Sequence, residues 1–194
     1  MPDPTLIIFA GANGSGKTTA AEEYLKQPDA PFTHFINTDE IARGLSPFDL
    51  DAASIPAARI FYQRFSEFIA EGKSFAIETT LSGVTHANLL KTAKQAGYFI
   101  SMVYFYLPDP LLNVARVKLR VAQGGHDVAE ENIKRRYKRS LYNLMNKYWD
   151  LCDIIQVYDK DNMRIAHKTS IGLSFNPENE DWKKIKEYAS EYHE

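Results

Sequence analysis

Residues 11–19 read GANGSGKTT and follow the apolar run LIIFA at 6–10. Gly11-Ala12-Asn13-Gly14-Ser15-Gly16-Lys17-Thr18 fits G-x-x-x-x-G-K-[ST] in full, with Thr19 next in line. Glycines let the backbone wrap close to a phosphate and aim its amides inward. The helix that follows adds the positive end of its dipole. Lys17 then reaches the terminal phosphates, and the Thr18 hydroxyl is offered to Mg²⁺. The pattern sits between an apolar strand and a helix, which is the context a phosphate loop requires.

Outward from this loop, short apolar runs alternate with helical patterns. Strands are expected at 6–10, 32–39, 74–79, 98–107 and 152–159. The run at 98–107 is the most apolar and is expected at the centre. Helices are expected over about 17–26, 85–97, 109–122 and from Asp127 through a stripe of Ile133, Tyr137, Leu141, Leu144, Met145 and Tyr148. Ser46-Pro47-Phe48-Asp49 reads as a capped helix start and Ser54-Ile55-Pro56 as a restart, before Phe61, Phe65, Phe68 and Ile69 recur at helical spacing. Asp109-Pro110 and Asp127 read as further helix starts. The alternation predicts an α/β fold of the P-loop NTPase type. The sheet is expected to be mainly parallel and nucleotide-kinase-like, with helices on both faces and a helical lid. The chain reads as a single domain over 1–194, with the lid at about 110–149 and a C-terminal hairpin and helix at about 163–192.

In such sheets ligands bind beyond the carboxyl ends of the strands. The glycine loop, Asp39, Glu78 and Asp109 all fall at or just after expected strand ends, so they can converge on one crevice. Asp39, in INTDE, could accept the proton of a hydroxyl attacking a γ-phosphate. It could equally cap the helix DEIARGL, unless Thr38 does so. Glu78 and Thr80 lie in AIETTLSG. A carboxylate on a buried strand end is expensive unless paired or used, either ordering a magnesium-bound water or holding a substrate hydroxyl. Thr79 and Ser82 offer further hydrogen bonds. Arg116 and Arg120 share a helix face, the break Gly124-Gly125-His126 follows, and Arg135-Arg136 come next. Two helices joined at a glycine pair and carrying arginines make a lid that could neutralise charge on a phosphoryl group in transit. Arg120 and Arg136 are the choices for the site, with Arg116 and Arg135 as fallbacks. His126 is read as ordering the loop.

Other classes fit less well. No D-x-x-G switch is present, and Asn146-Lys147-Tyr148-Trp149-Asp150 places its aspartate one position late for guanine reading, so ATP is favoured over GTP. A net charge of −2 argues against a nucleic-acid partner and against an anionic membrane. No apolar run approaches the roughly 20 residues of a membrane span, and the acidic start does not read as a signal peptide, so the cytoplasm is expected. The lone cysteine, Cys152, lies in an apolar run and reads as packing. The five histidines are scattered without ligand spacing.

The P-loop, INTDE, AIETTLSG and RVAQGGHDV…IKRRY together resemble the zeta-toxin family of P-loop kinases, in the same order from about Leu6 to Asp161. The similarity is greatest to its short, single-domain branch. The resemblance implies a nucleotide-kinase-like fold and ATP/Mg²⁺-dependent phosphorylation of a small-molecule hydroxyl, with UDP-N-acetylglucosamine as acceptor and an antitoxin as protein partner. It assigns phosphate and Mg²⁺ binding to Lys17 and Thr18, the base to Asp39, substrate contacts to Glu78 and Thr80, and the lid arginines to Arg120 and Arg136. One departure stands out: the toxins usually read E-G-T where this chain has Glu78-Thr79-Thr80. A metabolic kinase of another small molecule and an ATP-dependent switch without an acceptor remain as alternatives.

Overall fold

The computed structural model describes residues 3–28, 30, 32, 34–125 and 127–191. His126, expected to order the glycine loop, lies outside them. Seven strands form one sheet in the order β2-β3-β1-β4-β5-β6-β7. These are β1 (Thr5–Ala10), β2 (Phe35–Ile36), β3 (Phe75–Thr79), β4 (Phe99–Phe105), β5 (Ile154–Tyr158), β6 (Arg164–Thr169) and β7 (Gly172–Phe175). The first five are parallel, while β6 and β7 extend the sheet as an antiparallel hairpin. The helices are α1 (Lys17–Leu25), α2 (Thr38–Leu45), α3 (Leu50–Ala70), α4 (Thr85–Gln95), α5 (Pro110–Ala122), α6 (Glu130–Asn143) and α7 (Glu180–Glu191).

Leu6 and Ile8 of β1, Phe75 and Ile77 of β3, Ile100 and Met102 of β4, and Ile155 and Val157 of β5 form one face of the sheet. They share a core with Phe61, Phe65 and Phe68 of α3, Leu90 of α4, Tyr137 and Leu141 of α6, and Trp182 and Ile185 of α7. Apolar spacing near 3.6 on each helix and 2 on each strand brings these side chains to one plane. On the other face α1 packs against Ile7, Phe9 and Ala76 through Ala21, Tyr24 and Leu25. The coverage is unequal. β4 is the middle strand, as expected, but Phe99, Ser101, Val103 and Phe105 stay partly exposed, and β1 and β3 are the more deeply buried strands. The cause is the position of α1, which sits over β1 and β3.

Three helix starts differ from expectation. α3 is capped by Asp49, whose carboxylate accepts from Ala52 N at 3.0 Å, and Ser46 instead closes α2. α3 then runs unbroken through Pro56; the Ala52 carbonyl that loses its donor belongs to an exposed residue, which water can satisfy. α6 begins at Glu130 without a side-chain cap, because Asp127 turns its carboxylate to the amide of Val128. Asp109 caps α5 as expected, accepting from Leu111 N at 2.8 Å. After Asn143 the chain passes through a π turn (Leu144–Tyr148) and a 3₁₀ turn (Trp149–Leu151). There Asn146 donates to the carbonyls of Tyr142 and Ala189 and so serves as a structural tie.

Candidate phosphoryl-transfer site

β1 ends at Ala10 and α1 begins at Lys17, so six residues carry the chain across the carboxyl edge of the sheet. Two glycines are required by close approach. A Cβ on Gly11 (φ +144°) would fall 2.5 Å from the Phe105 carbonyl, and one on Gly14 (φ +76°) 2.7 Å from that of Asn113. The Asn113 side chain, from α5, donates to the Asn13 carbonyl at 2.7 Å and clamps the loop. Gly16 precedes α1 with no side-chain cap, which leaves the first amides of the helix for a ligand. Ser15 Oγ is buried without a partner among the described residues. This cradle fits a nucleotide phosphate. Thr18 and Thr19 lie in the first turn of α1, half-buried and exposed respectively, where the Thr18 hydroxyl would hold a Mg²⁺.

Lys17 is buried. Its Nζ lies 3.5 Å from the Ala12 carbonyl and 3.4 Å from Glu78 Oε1. Both distances are at the long end for such contacts. Glu78 Oε2 accepts from Asn37 Nδ2 at 2.8 Å. The Asn37 Oδ1 in turn accepts from the amides of Asp39 at 2.8 Å and Glu40 at 3.4 Å. Asn37 is thus the cap of α2, in place of Asp39 or Thr38. The carboxylate of Asp39 is left exposed on the first turn of that helix.

Past β3 the chain turns through Leu81, fully buried in a left-handed conformation (φ +53°) that a leucine rarely adopts. Asn143 donates to the Leu81 carbonyl at 2.6 Å and Tyr148 Oη to that of Gly83 at 2.7 Å, so α6 and the π turn hold this segment. Thr80 and Ser82 bond to each other at 2.8 Å. Thr79 Oγ1 accepts from Leu81 N and meets His86 Nδ1, each at 3.1 Å. Burial holds the His86 imidazole well below its ordinary 6.5, at about 4.

These side chains meet in a 190 Å³ cleft lined by Asn13, Lys17, Asn37, Thr38, Asp39, Glu78, Thr79, Thr80, His86 and Arg136. Arg136 Nη1 donates to Asn13 Oδ1 at 3.4 Å. The sequence therefore named Asn13, Lys17, Asp39, Glu78, Thr79, Thr80 and Arg136 of this cleft. Arg120 does not line it; it packs under the Gly124–Gly125 turn, where its carbonyl accepts from Gly125 N at 2.9 Å. Arg116 is exposed beside Gly14, and Arg135 is exposed and donates to Asn132 Oδ1. Asn37, Asn113 and His86 were not singled out from sequence. The available signal was position: each lies near the carboxyl edge of the sheet. Cys152 is buried, and its thiol is pushed up to about 12, in keeping with packing.

The depressed histidine has a consequence for stability. Between pH 6.5 and about 4 the unfolded chain takes up a proton that folded His86 refuses, so stability falls as pH falls through that window. The contribution lost by pH 4.5 is roughly 2–3 kcal/mol. Urea unfolding at pH 7 and pH 4.5 should show this loss, reduced by that amount in His86→Gln.

Residues 6–142 match the family described as AAA domain. An uncharacterized protein of Haemophilus influenzae is 35% identical over 131 residues, 68% of this chain and 91% of that protein. Among solved structures, a chain from the PezAT chromosomal toxin–antitoxin system of the human pathogen Streptococcus pneumoniae superposes with a TM-score of 0.64 at 16% identity, covering 98% of this chain and 88% of that one. A chain of the AvrRxo1-ORF1:-ORF2 complex with ATP gives 0.67 at 14% identity over 96% of this chain, which spans only 64% of that neighbour. With its cradle and cleft, the chain belongs to the AAA-domain family and has a zeta-toxin-like P-loop kinase fold.

Proposed function

We propose that the protein is an ATP/Mg²⁺-dependent kinase of a small molecule, with a sugar nucleotide such as UDP-N-acetylglucosamine as the first acceptor to try. The observation that carries this reading is the meeting of the P-loop lysine and a free carboxylate, Asp39, in one cleft. A switch needs only a positioned water, whereas a kinase needs a base beside its acceptor. Asp39 accepts the hydroxyl proton as the acceptor oxygen attacks the γ-phosphorus and the bond to ADP breaks. Lys17 and Arg136 bear on the charge of the group in transit. Glu78 keeps Lys17 in the cleft, and Thr80 offers a hydroxyl to the acceptor. Mg²⁺, held through Thr18, would neutralise phosphate charge.

The acceptor also needs room. A 730 Å³ cavity opens between the α2–α3 corner and the α5–α6 connection, lined by residues that include Arg43, Phe48, Asp49, Asp51, Asp127 and Arg136. Arg136 borders both cavities, so an acceptor body there could extend one hydroxyl past Arg136 toward Asp39. The α5–α6 hairpin is the proposed lid of a single kinase domain. Three carboxylates among these side chains favour a less anionic acceptor as the second reading: a metabolic kinase of another hydroxyl compound. The toxin–antitoxin origin of one structural neighbour supports an antitoxin as a protein partner. Among the described residues no helix is long and apolar enough to cross a membrane; the cytoplasm is the proposed place of work.

The test is phosphorus NMR of ATP/Mg²⁺ with the protein and a panel of UDP-sugars, free sugars and nucleosides. A new phosphomonoester from one acceptor is the expected result. Slow ATP hydrolysis insensitive to every acceptor and to Asp39→Asn would instead favour the switch. In the same assay Arg136→Ala should lower turnover by roughly 10²-fold with little change in ATP affinity, as expected for charge stabilisation in transit. Arg135→Ala should leave turnover unchanged.

A further inference from the structure

One polar side chain of the cleft has no part in the chemistry above. His86 stands in the first turn of α4, and its ring is held edge-on by Phe61 at 5.0 Å and 69°. Its Nδ1 lies 3.1 Å from Thr79 Oγ1. That oxygen already accepts from Leu81 N, and its own proton has no other acceptor among the described residues. Thr79 therefore donates to Nδ1, since the alternative strands a buried hydroxyl proton. The neutral ring must then carry its hydrogen on Nε2, which makes no hydrogen bond to a described residue.

We infer that His86 is a specificity-determining residue, presenting an uncharged Nε2–H donor to a neutral oxygen of the phosphoryl acceptor, a hydroxyl or carbonyl of the kind a sugar or an amide carries. This rests on the kinase reading and narrows its substrate class. Lys17 and Arg136 already supply positive charge to the cleft, and Asp39 and Glu78 supply negative charge. A neutral donor adds orientation without charge, so it selects lone pairs on neutral groups over phosphate oxygens. Burial keeps the ring uncharged at neutral pH despite the two carboxylates. Thr79 is what fixes the tautomer; glycine at that position would leave Nδ1 without its partner.

Two measurements test this. In ¹⁵N-histidine-labelled protein, with His86 assigned by comparison to His86→Gln, the ring should show the Nε2–H tautomer at pH 7 and remain unprotonated to pH 5. An Nδ1–H tautomer, or titration near pH 6.5, overturns the assignment whatever the acceptor. In the kinase assay, the probes are UDP-N-acetylglucosamine, free N-acetylglucosamine and uridine. For whichever the wild type phosphorylates, His86→Phe should raise the acceptor KM about fivefold to tenfold with kcat and ATP KM nearly unchanged, the size of one lost neutral hydrogen bond. His86→Gln, which keeps an N–H donor, should recover most of the loss. An unchanged acceptor KM in His86→Phe overturns the inference and leaves the kinase reading standing. A wild type that hydrolyses ATP without phosphorylating any acceptor of the full panel of UDP-sugars, free sugars and nucleosides, and does so equally as Asp39→Asn, overturns the kinase reading, and this inference with it.

Discussion

Lys17→Met should reduce phosphoryl transfer by at least roughly 10²–10³-fold, the scale on which a preorganised charge acts on a transition state. The same change should also be felt in the resting protein. Lys17 and Glu78 are both buried, and they face each other at 3.4 Å. Removing the cation leaves a carboxylate in the cleft with only the Asn37 amide as partner among the described residues. Breaking a buried pair in this way destabilises by about 3–5 kcal/mol, less here because the pair is long and the cleft admits water. The double variant Lys17→Met/Glu78→Gln should therefore recover stability while staying inactive. Thermal unfolding and single-turnover transfer on the three proteins separate the effects. Unimpaired transfer in Lys17→Met would reject the P-loop assignment.

Asp39→Asn should behave in the opposite way: lost catalysis in an intact protein. If Asp39 accepts the acceptor proton, transfer falls by roughly 10²–10⁴-fold. Stability should change by no more than about 0.5 kcal/mol, because Asp39 is exposed and Asn37 provides the helix cap. Nucleotide affinity, measured by calorimetry with a non-hydrolysable ATP analogue, should be retained. Asn37→Ala makes the contrast. It removes both the cap of α2 and the partner of Glu78, so destabilisation of more than about 1 kcal/mol is expected. Equal transfer by wild type and Asp39→Asn would dismiss the base.

Local features were legible in the sequence. The phosphate loop could be read because each position answers to its own backbone: a glycine where a Cβ would strike a carbonyl, then a lysine, then a hydroxyl. The parallel sheet was legible because LIIFA and the start of FAIET are apolar at successive positions and so need cover on both sides. Helix starts were less so. Ser46, Asp49 and Asp127 all carry capping side chains, and only the path of the chain decides which one meets a free amide.

Local pattern alone encoded the phosphate loop, the alternating architecture and the arrival of Glu78 at the end of its strand; the strand expected over 32–39 shrinks to Phe35–Ile36, because Asn37 caps α2 and takes Asp39 into its first turn. Tertiary structure alone decided the rest. It set Asn13 beside Arg136, 123 residues away, and placed Arg120, chosen together with Arg136 from the sequence, under a turn and away from the cleft. It joined Asn37 to Glu78 across 41 residues and turned His86 inward against Thr79. The physical reason is the range of the forces involved. Backbone sterics and apolar periodicity act over a few residues and leave their mark in the local pattern. Hydrogen bonds between side chains from different elements depend on how whole helices pack, and no spacing along the chain records that.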